Sequence, residues 1–191
     1  RVDGVLYTHH HADHVTGLDD LRRFNLLQKC ALPLFANPRT LTRLREMFDY
    51  AFEHDPQYPS AKPELLPRDI TGSLHIGDRE VIPIPYMHGP LPVLGFRIGA
   101  VAYCPDCSFI PDESRRLLRD LDVLVIDALR RRPHPTHFNL EQAVEEARRI
   151  GAARTFFTHI AHELHHAPTN AELPPGMQLA YDGLVIQSDG S

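Results

Sequence analysis

The sequence predicts an α/β fold built on a mixed sheet, and three observations carry that expectation. Strand-like apolar runs alternate with amphipathic helical segments along the 191 residues. Hairpin-like turns interrupt the alternation, so the sheet is not purely parallel. Residues able to bind metal fall again and again just after the strand-like runs, where a rim-mounted active site is built.

The elements follow in order. The run "VDGVLYT" (2–8) reads as a buried strand, and it leads into four histidines and an aspartate within His9 to His14. "TGLDDLRRFNLL" then spaces Leu18, Leu21 and Leu26 at roughly helical intervals. "LPLFA" (32–36) is a second strand. Asn37 is placed to cap a helix with Pro38 at its first position, running to about Phe52. The proline-rich stretch 54–68 reads as a loop. "LHIGDREVIPIPY" predicts a hairpin turning at Gly77-Asp78, and 93–104 predicts two more strands about Gly99. "PDESRRLLRDL" is a short helix and "DVLVIDAL" a buried strand. Asn139, with Gln142 three residues on and Gly151 as a stop, frames the helix "LEQAVEEARRI". "RTFFT" (154–158) and "LVIQ" (184–187) are the expected last strands. No repeat or low-complexity segment divides the chain, so one domain is expected.

Composition narrows the function. At 42% apolar residues the chain can bury a core, yet no apolar run approaches the ~20 residues of a membrane span. The net charge of −5 is spread without a basic block, which argues against a protein that coats nucleic acid. Three cysteines make no disulfide framework and fit a reducing cytoplasm, with no signal or lipidation motif in view. The chain starts at Arg1, inside a strand-like run, so the N-terminus of a longer protein is expected to be missing. A homodimer stays open.

The histidine cluster reads His9-x-His11-x-Asp13-His14. Alternate residues of an extended segment point the same way, so His9 and His11 can grip one ion. Asp13 and His14 come after the chain turns and can face a second. Imidazoles with an open position for water make a catalytic rather than a structural metal arrangement. A tag remnant would be a uniform histidine run, without an aspartate between a strand and a helix.

Two other motifs need weighing. Asp106 lies between Cys104 and Cys107, which spells C-x-x-C. A redox dithiol or soft metal ligand is one reading; small buried thiols flanking a ligand is the preferred one. His162-Glu163-x-x-His166 matches the zinc-protease H-E-x-x-H pattern, which needs both histidines one turn apart on one helix. Here it follows a strand directly and meets Pro168, which leaves little room for that helix.

"THHHADH", "YMHGP", "AYCPDCS", "PHPTHFNL", "FFTHIAHEL" and "LAYDGL" occur in an order that resembles the metallo-β-lactamase fold. Within it they resemble the PhnP-type cyclic phosphodiesterase branch, whose active site is similar to that of tRNase Z. The resemblance spans almost the whole chain and implies an αββα sandwich, from which the N-terminal strands and Gly-rich turn of family members are absent here. It implies that His9, His11 and His88 hold a first metal, that Asp13, His14 and His159 hold a second, and that Asp106 bridges. Asp13 and His137 are the implied catalytic residues, His137 as a non-ligand imidazole facing the scissile phosphate. Its alternative role is a cap on the 139–150 helix.

These readings converge on a dinuclear hydrolase of a small phosphodiester, cyclic ones included, with His137 protonating the departing oxygen. The two divalent ions are expected to be zinc or manganese, with iron also suited to the donor set. The rivals are a thioester or lactone hydrolase of the same fold and a metal-binding accessory protein without catalysis.

Overall fold

The computed structural model describes residues 1–53 and 61–188. It divides into two compact units, Arg1–Asp78 and Arg79–Ser191, each with its own core.

The first unit is built on a three-stranded parallel sheet in the order β1-β2-β3. β1 (Val5–Leu6) is far shorter than the 2–8 run suggests, and it pairs Val5 with Leu34 and Leu6 with Phe35 of β2 (Leu32–Ala36). After β1 come α1 (Ala12–Val15), a single 3-10 turn (Thr16–Leu18) and α2 (Leu21–Gln28). Leu18 is fully buried, but Leu26 is exposed; Asn25 takes the inward position instead. The Asn25 amide donates to the carbonyls of Cys30 and Glu64 and its oxygen accepts from the Glu64 amide, so a satisfied polar group replaces the expected leucine.

Asn37 caps α3 (Pro38–Met47) as expected, its side chain accepting from the Thr40 amide at 2.8 Å. The helix does not run on to Phe52: Phe48 breaks it at φ −129°, and α4 (Asp49–Phe52) starts afresh. The expected loop 54–68 falls partly outside the described residues. Its last four residues belong to β3 (Leu65–Asp69), a strand held by pairing with β2 despite Pro67. β4 (Leu74–Ile76) leads into the predicted turn at Gly77-Asp78.

The second unit places its strands in the order β10-β9-β8-β7-β6-β5. β5 (Arg79–His88), β6 (Leu91–Ile98) and β7 (Val101–Cys104) are antiparallel, whereas β7, β8 (Val123–Asp127), β9 (Arg154–Thr158) and β10 (Met177–Leu179) run parallel. The mixed sheet expected from the sequence is present. The final strand is not: Met177–Leu179 pairs with β9, and residues 184–187 form no strand, with Val185 82% exposed.

Helices α5 (Asp112–Leu117), α6 (Leu140–Ile150) and α7 (His166–Glu172) complete the unit. Asn139 and Gln142 close a full capping box on α6, and Gly151 ends it in the left-handed region. Ala143 and Ala147 of α6 share a core with Ile84, Tyr86, Leu124, Ile126 and Phe157 of the sheet. Burying each large side chain there contributes roughly 1.5–3 kcal/mol. Among the described residues no helix is long and apolar enough to cross a membrane.

Candidate metal centre

In the first unit, the chain leaves β1 extended and turns into α1 at His11, whose carbonyl accepts from the His14 amide at 3.0 Å. That turn gathers the imidazoles. The ring of His9 lies 4.6 Å from that of His11 and 4.3 Å from that of His14. His14 Nε2 stands 3.4 Å from Asp13 Oδ2, so the two residues expected to share an ion do lie side by side. His9 is buried, and Thr8 Oγ1 holds its Nδ1 at 3.1 Å.

In the second unit, His88 ends β5, Asp106 follows β7 and His159 follows β9. Asp106 (φ 50°) and His159 (φ 58°) both adopt left-handed backbone, which non-glycine residues rarely do. That conformation bends the chain within two residues of a strand end in both cases. Strain of this kind persists where the surroundings over-determine it.

Asp106 is buried, and its two oxygens face different imidazoles. His88 Nε2 lies 3.8 Å from Oδ2, and His159 Nε2 lies 3.4 Å from Oδ1. Both separations exceed a good hydrogen bond. They match the spacing of two donors on a common ion, which is about 3.4 Å for bonds near 2.1 Å at a tetrahedral angle. The same 3.4 Å separates Asp13 from His14. Imidazole nitrogen and carboxylate oxygen, without thiolate, make a donor set that fits divalent ions.

Neighbouring groups fix the ligand geometry. His88 Nδ1 sits 2.7 Å from the Thr136 carbonyl oxygen, which can only accept. The proton therefore resides on Nδ1 and leaves the Nε2 lone pair facing Asp106. Gly89 (φ 58°) makes this possible, because a Cβ there would come within 2.5 Å of Thr136 Cγ2. Ser108 Oγ accepts from the Gly89 amide and donates to the Met87 carbonyl, tying the His88 turn to the Asp106 loop.

His137 is not the cap of α6, since Asn139 fills that role. It is buried, with its ring stacked on His159 at 4.9 Å and 4.5 Å from the ring of His88. Its Nδ1 lies 3.1 Å from Asp127 Oδ2. Asp127, fully buried at the end of β8, was not singled out by the sequence. The same Oδ2 accepts from the Cys107 and Phe138 amides, both at 3.1 Å. Burial pushes the Asp127 carboxyl up from its usual range, against the opposing pull of His137. One signal could have found it: a lone acid ending the apolar strand "VLVID" must meet donors when buried.

The competing motifs do not survive. Cys104 and Cys107 are fully buried, and burial pushes the Cys104 thiol up to about 12 and that of Cys107 well above its ordinary value. Neither is a thiolate near neutral pH. His166 only begins α7, so His162 and His166 share no helix, and Glu163 is bound to Arg132 at 2.6 Å.

A model of the beta-lactamase superfamily domain matches residues 1–160, and the chain belongs to that family. Its mixed α/β fold and His/Asp donor groups accord with the metallo-β-lactamase fold and with divalent metal ions. A crystal structure of a new diphosphatase from the PhnP family is 41% identical with a TM-score of 0.87, covering 95% of this chain and 69% of that one. The short form of human tRNase Z superposes with a TM-score of 0.67 over 98% of this chain and 79% of its own, at 18% identity, a likeness of fold alone. A protein of Porphyromonas gingivalis strain W83 named octanoyltransferase is 36% identical over 198 residues, spanning 99% of this chain and 39% of that protein. The chain thus spans about two fifths of the length of this curated relative.

Proposed function

We propose that the protein is a dinuclear metal-dependent phosphodiesterase acting on a small diester of phosphoric acid, cyclic diesters included. The observation that carries this reading is His137, a buried imidazole oriented by Asp127 beside two candidate ligands. In the proposed assignment His9, His11 and His88 hold one ion, Asp13, His14 and His159 the other, and Asp106 bridges. Ions bound there would supply Lewis-acid charge for the phosphoryl oxygens and a water of lowered pKa. Asp13 acts at the reacting centre as well as in binding.

The chain's own residues manage the proton. An ionised Asp127 accepts from His137 Nδ1–H, which fixes the ring and leaves Nε2 to carry the transferable proton. Nε2–H then protonates the departing alkoxide, whose expulsion would otherwise be slow. The 41% identity to a PhnP-family diphosphatase supports phosphorus chemistry. The name of the Porphyromonas relative supports a second reading, acyl-group chemistry, although most of that protein lies outside the match.

The test is differential. A nitrophenolate leaves without a proton and an alkoxide does not, so only the second needs a donor in the transition state. His137→Ala should retain both metals and lose roughly 10²–10⁴-fold more rate on an alkyl phosphodiester than on bis(4-nitrophenyl) phosphate. Equal losses on both substrates would assign His137 to positioning, and loss of metal would make it a ligand.

A further inference from the structure

One imidazole beside the candidate acid has no part in the proposed proton transfer. His134 lies in the loop between β8 and α6, half-buried, with its ring centroid 5.0 Å from that of His137. Its Nδ1 lies 3.3 Å from the Thr136 amide nitrogen and 3.2 Å from Thr136 Oγ1. An amide N–H can only donate, so Nδ1 holds a lone pair there and the neutral ring carries its proton on Nε2. Burial, and after it the neighbouring His137 and Arg130, holds His134 below its ordinary pKa against the opposing pull of Asp127, which favours that neutral form. Among the described residues the bonds of this ring are made by Nδ1, and Nε2 is left without a protein partner. The loop itself is tied down. The Arg130 guanidinium donates to the carbonyls of Arg132 and Pro133, and the Thr136 carbonyl accepts from His88 Nδ1.

We propose that His134 is a second catalytic imidazole, whose Nε2–H donates to a non-bridging phosphoryl oxygen while His137 serves the departing one. The inference rests on the phosphodiesterase reading of this site. A phosphoryl transition state carries negative charge on oxygens other than the leaving one. Donors fixed in advance towards that charge stabilise it without having to reorganise. His134 meets this requirement, because Thr136 sets its tautomer and Arg130 closes its loop. Rings 5.0 Å apart bring two N–H donors within reach of two oxygens on one phosphorus. The two nitrogens of His134 therefore have separate tasks. Nδ1 holds Thr136 and, through the Thr136 carbonyl, His88; Nε2 faces substrate. A strut for Thr136 alone would not need an imidazole, since an asparagine side chain bonds the backbone two residues on equally well.

That difference supplies the test. His134→Asn keeps an acceptor for the Thr136 amide and removes the Nε2 donor. Its metal content and Tm should match the wild type. Its kcat/KM should fall roughly 10²-fold on bis(4-nitrophenyl) phosphate and on an alkyl phosphodiester alike, since a donor to a non-bridging oxygen acts whatever group departs. Wild-type rates in His134→Asn overturn the proposal, make His134 a strut and leave the phosphodiesterase reading standing. A loss confined to the alkyl diester also overturns it, by moving His134 to protonation of the leaving group. Loss of metal in His134→Asn overturns it too, because the ring would then act through Thr136 on His88. If the metal-loaded wild type cleaves neither diester, the phosphodiesterase reading falls, and calorimetry with inorganic phosphate decides His134 separately. Binding about tenfold weaker in His134→Asn sustains the donor; equal binding overturns it.

Discussion

At Asp127 a single carboxylate oxygen receives three donors, from His137, Cys107 and Phe138, and so fixes the loop beside Asp106 to the imidazole proposed as acid. If Asp127 acts through His137, its effect vanishes once His137 is gone. Asp127→Asn should slow alkyl-diester cleavage by roughly 10²-fold, and adding it to His137→Ala should cost almost nothing more. Losses that multiply would mean that Asp127 works independently. The thiols give a second check. Cys104 and Cys107 are buried with raised pKa values, whereas Cys30 is exposed. A thiol reagent at pH 7.5, near the ordinary thiol pKa of about 8.5, should titrate one cysteine quickly and all three only after denaturation. At this scale the sequence shows which residues can bind metal but not which are buried together. His88 and His137 could be singled out by their place after strands, whereas the partner of His137 lies ten residues away as the last residue of an apolar strand.

Among the elements, those with local signals came out as read: the Asn37 and Asn139 caps, the Gly77-Asp78 turn and the strand pair about Gly99. Each is decided within a few residues by backbone geometry or a side-chain cap. The failures are elements chosen by their neighbours. β3 forms through Pro67 because β2 offers it a parallel edge, and Met177–Leu179 pairs with β9 while the more strand-like "LVIQ" stays unpaired. Asn139→Ala should lower stability by about 1 kcal/mol in urea unfolding, since it opens the capping box of α6. Gly89→Ala should lose more, because left-handed backbone and the Thr136 methyl both oppose a Cβ, and it should weaken metal binding through His88. Glu163→Gln should leave hydrolysis unchanged, since Glu163 pairs with Arg132 and lies outside any H-E-x-x-H helix. Abolished hydrolysis with normal metal content would return that segment to the active site.

Over the whole molecule, two cores are built separately, and the proposed ligands are divided along the chain, four before Asp78 and three after it. The family was legible because metal chemistry restricts residue type and spacing so sharply at His9 to His14. Substrate was not, because loops that contact a substrate carry no comparable restriction on residue type or spacing. The central claim is two ions sharing Asp106, and metal content per chain tests it most directly. Elemental analysis of the purified protein, before and after Asp106→Ala, should find two divalent ions falling to one or none, because two dications lose the anion between them. A single tightly held ion in the wild type, unchanged by Asp106→Ala, would contradict the dinuclear account.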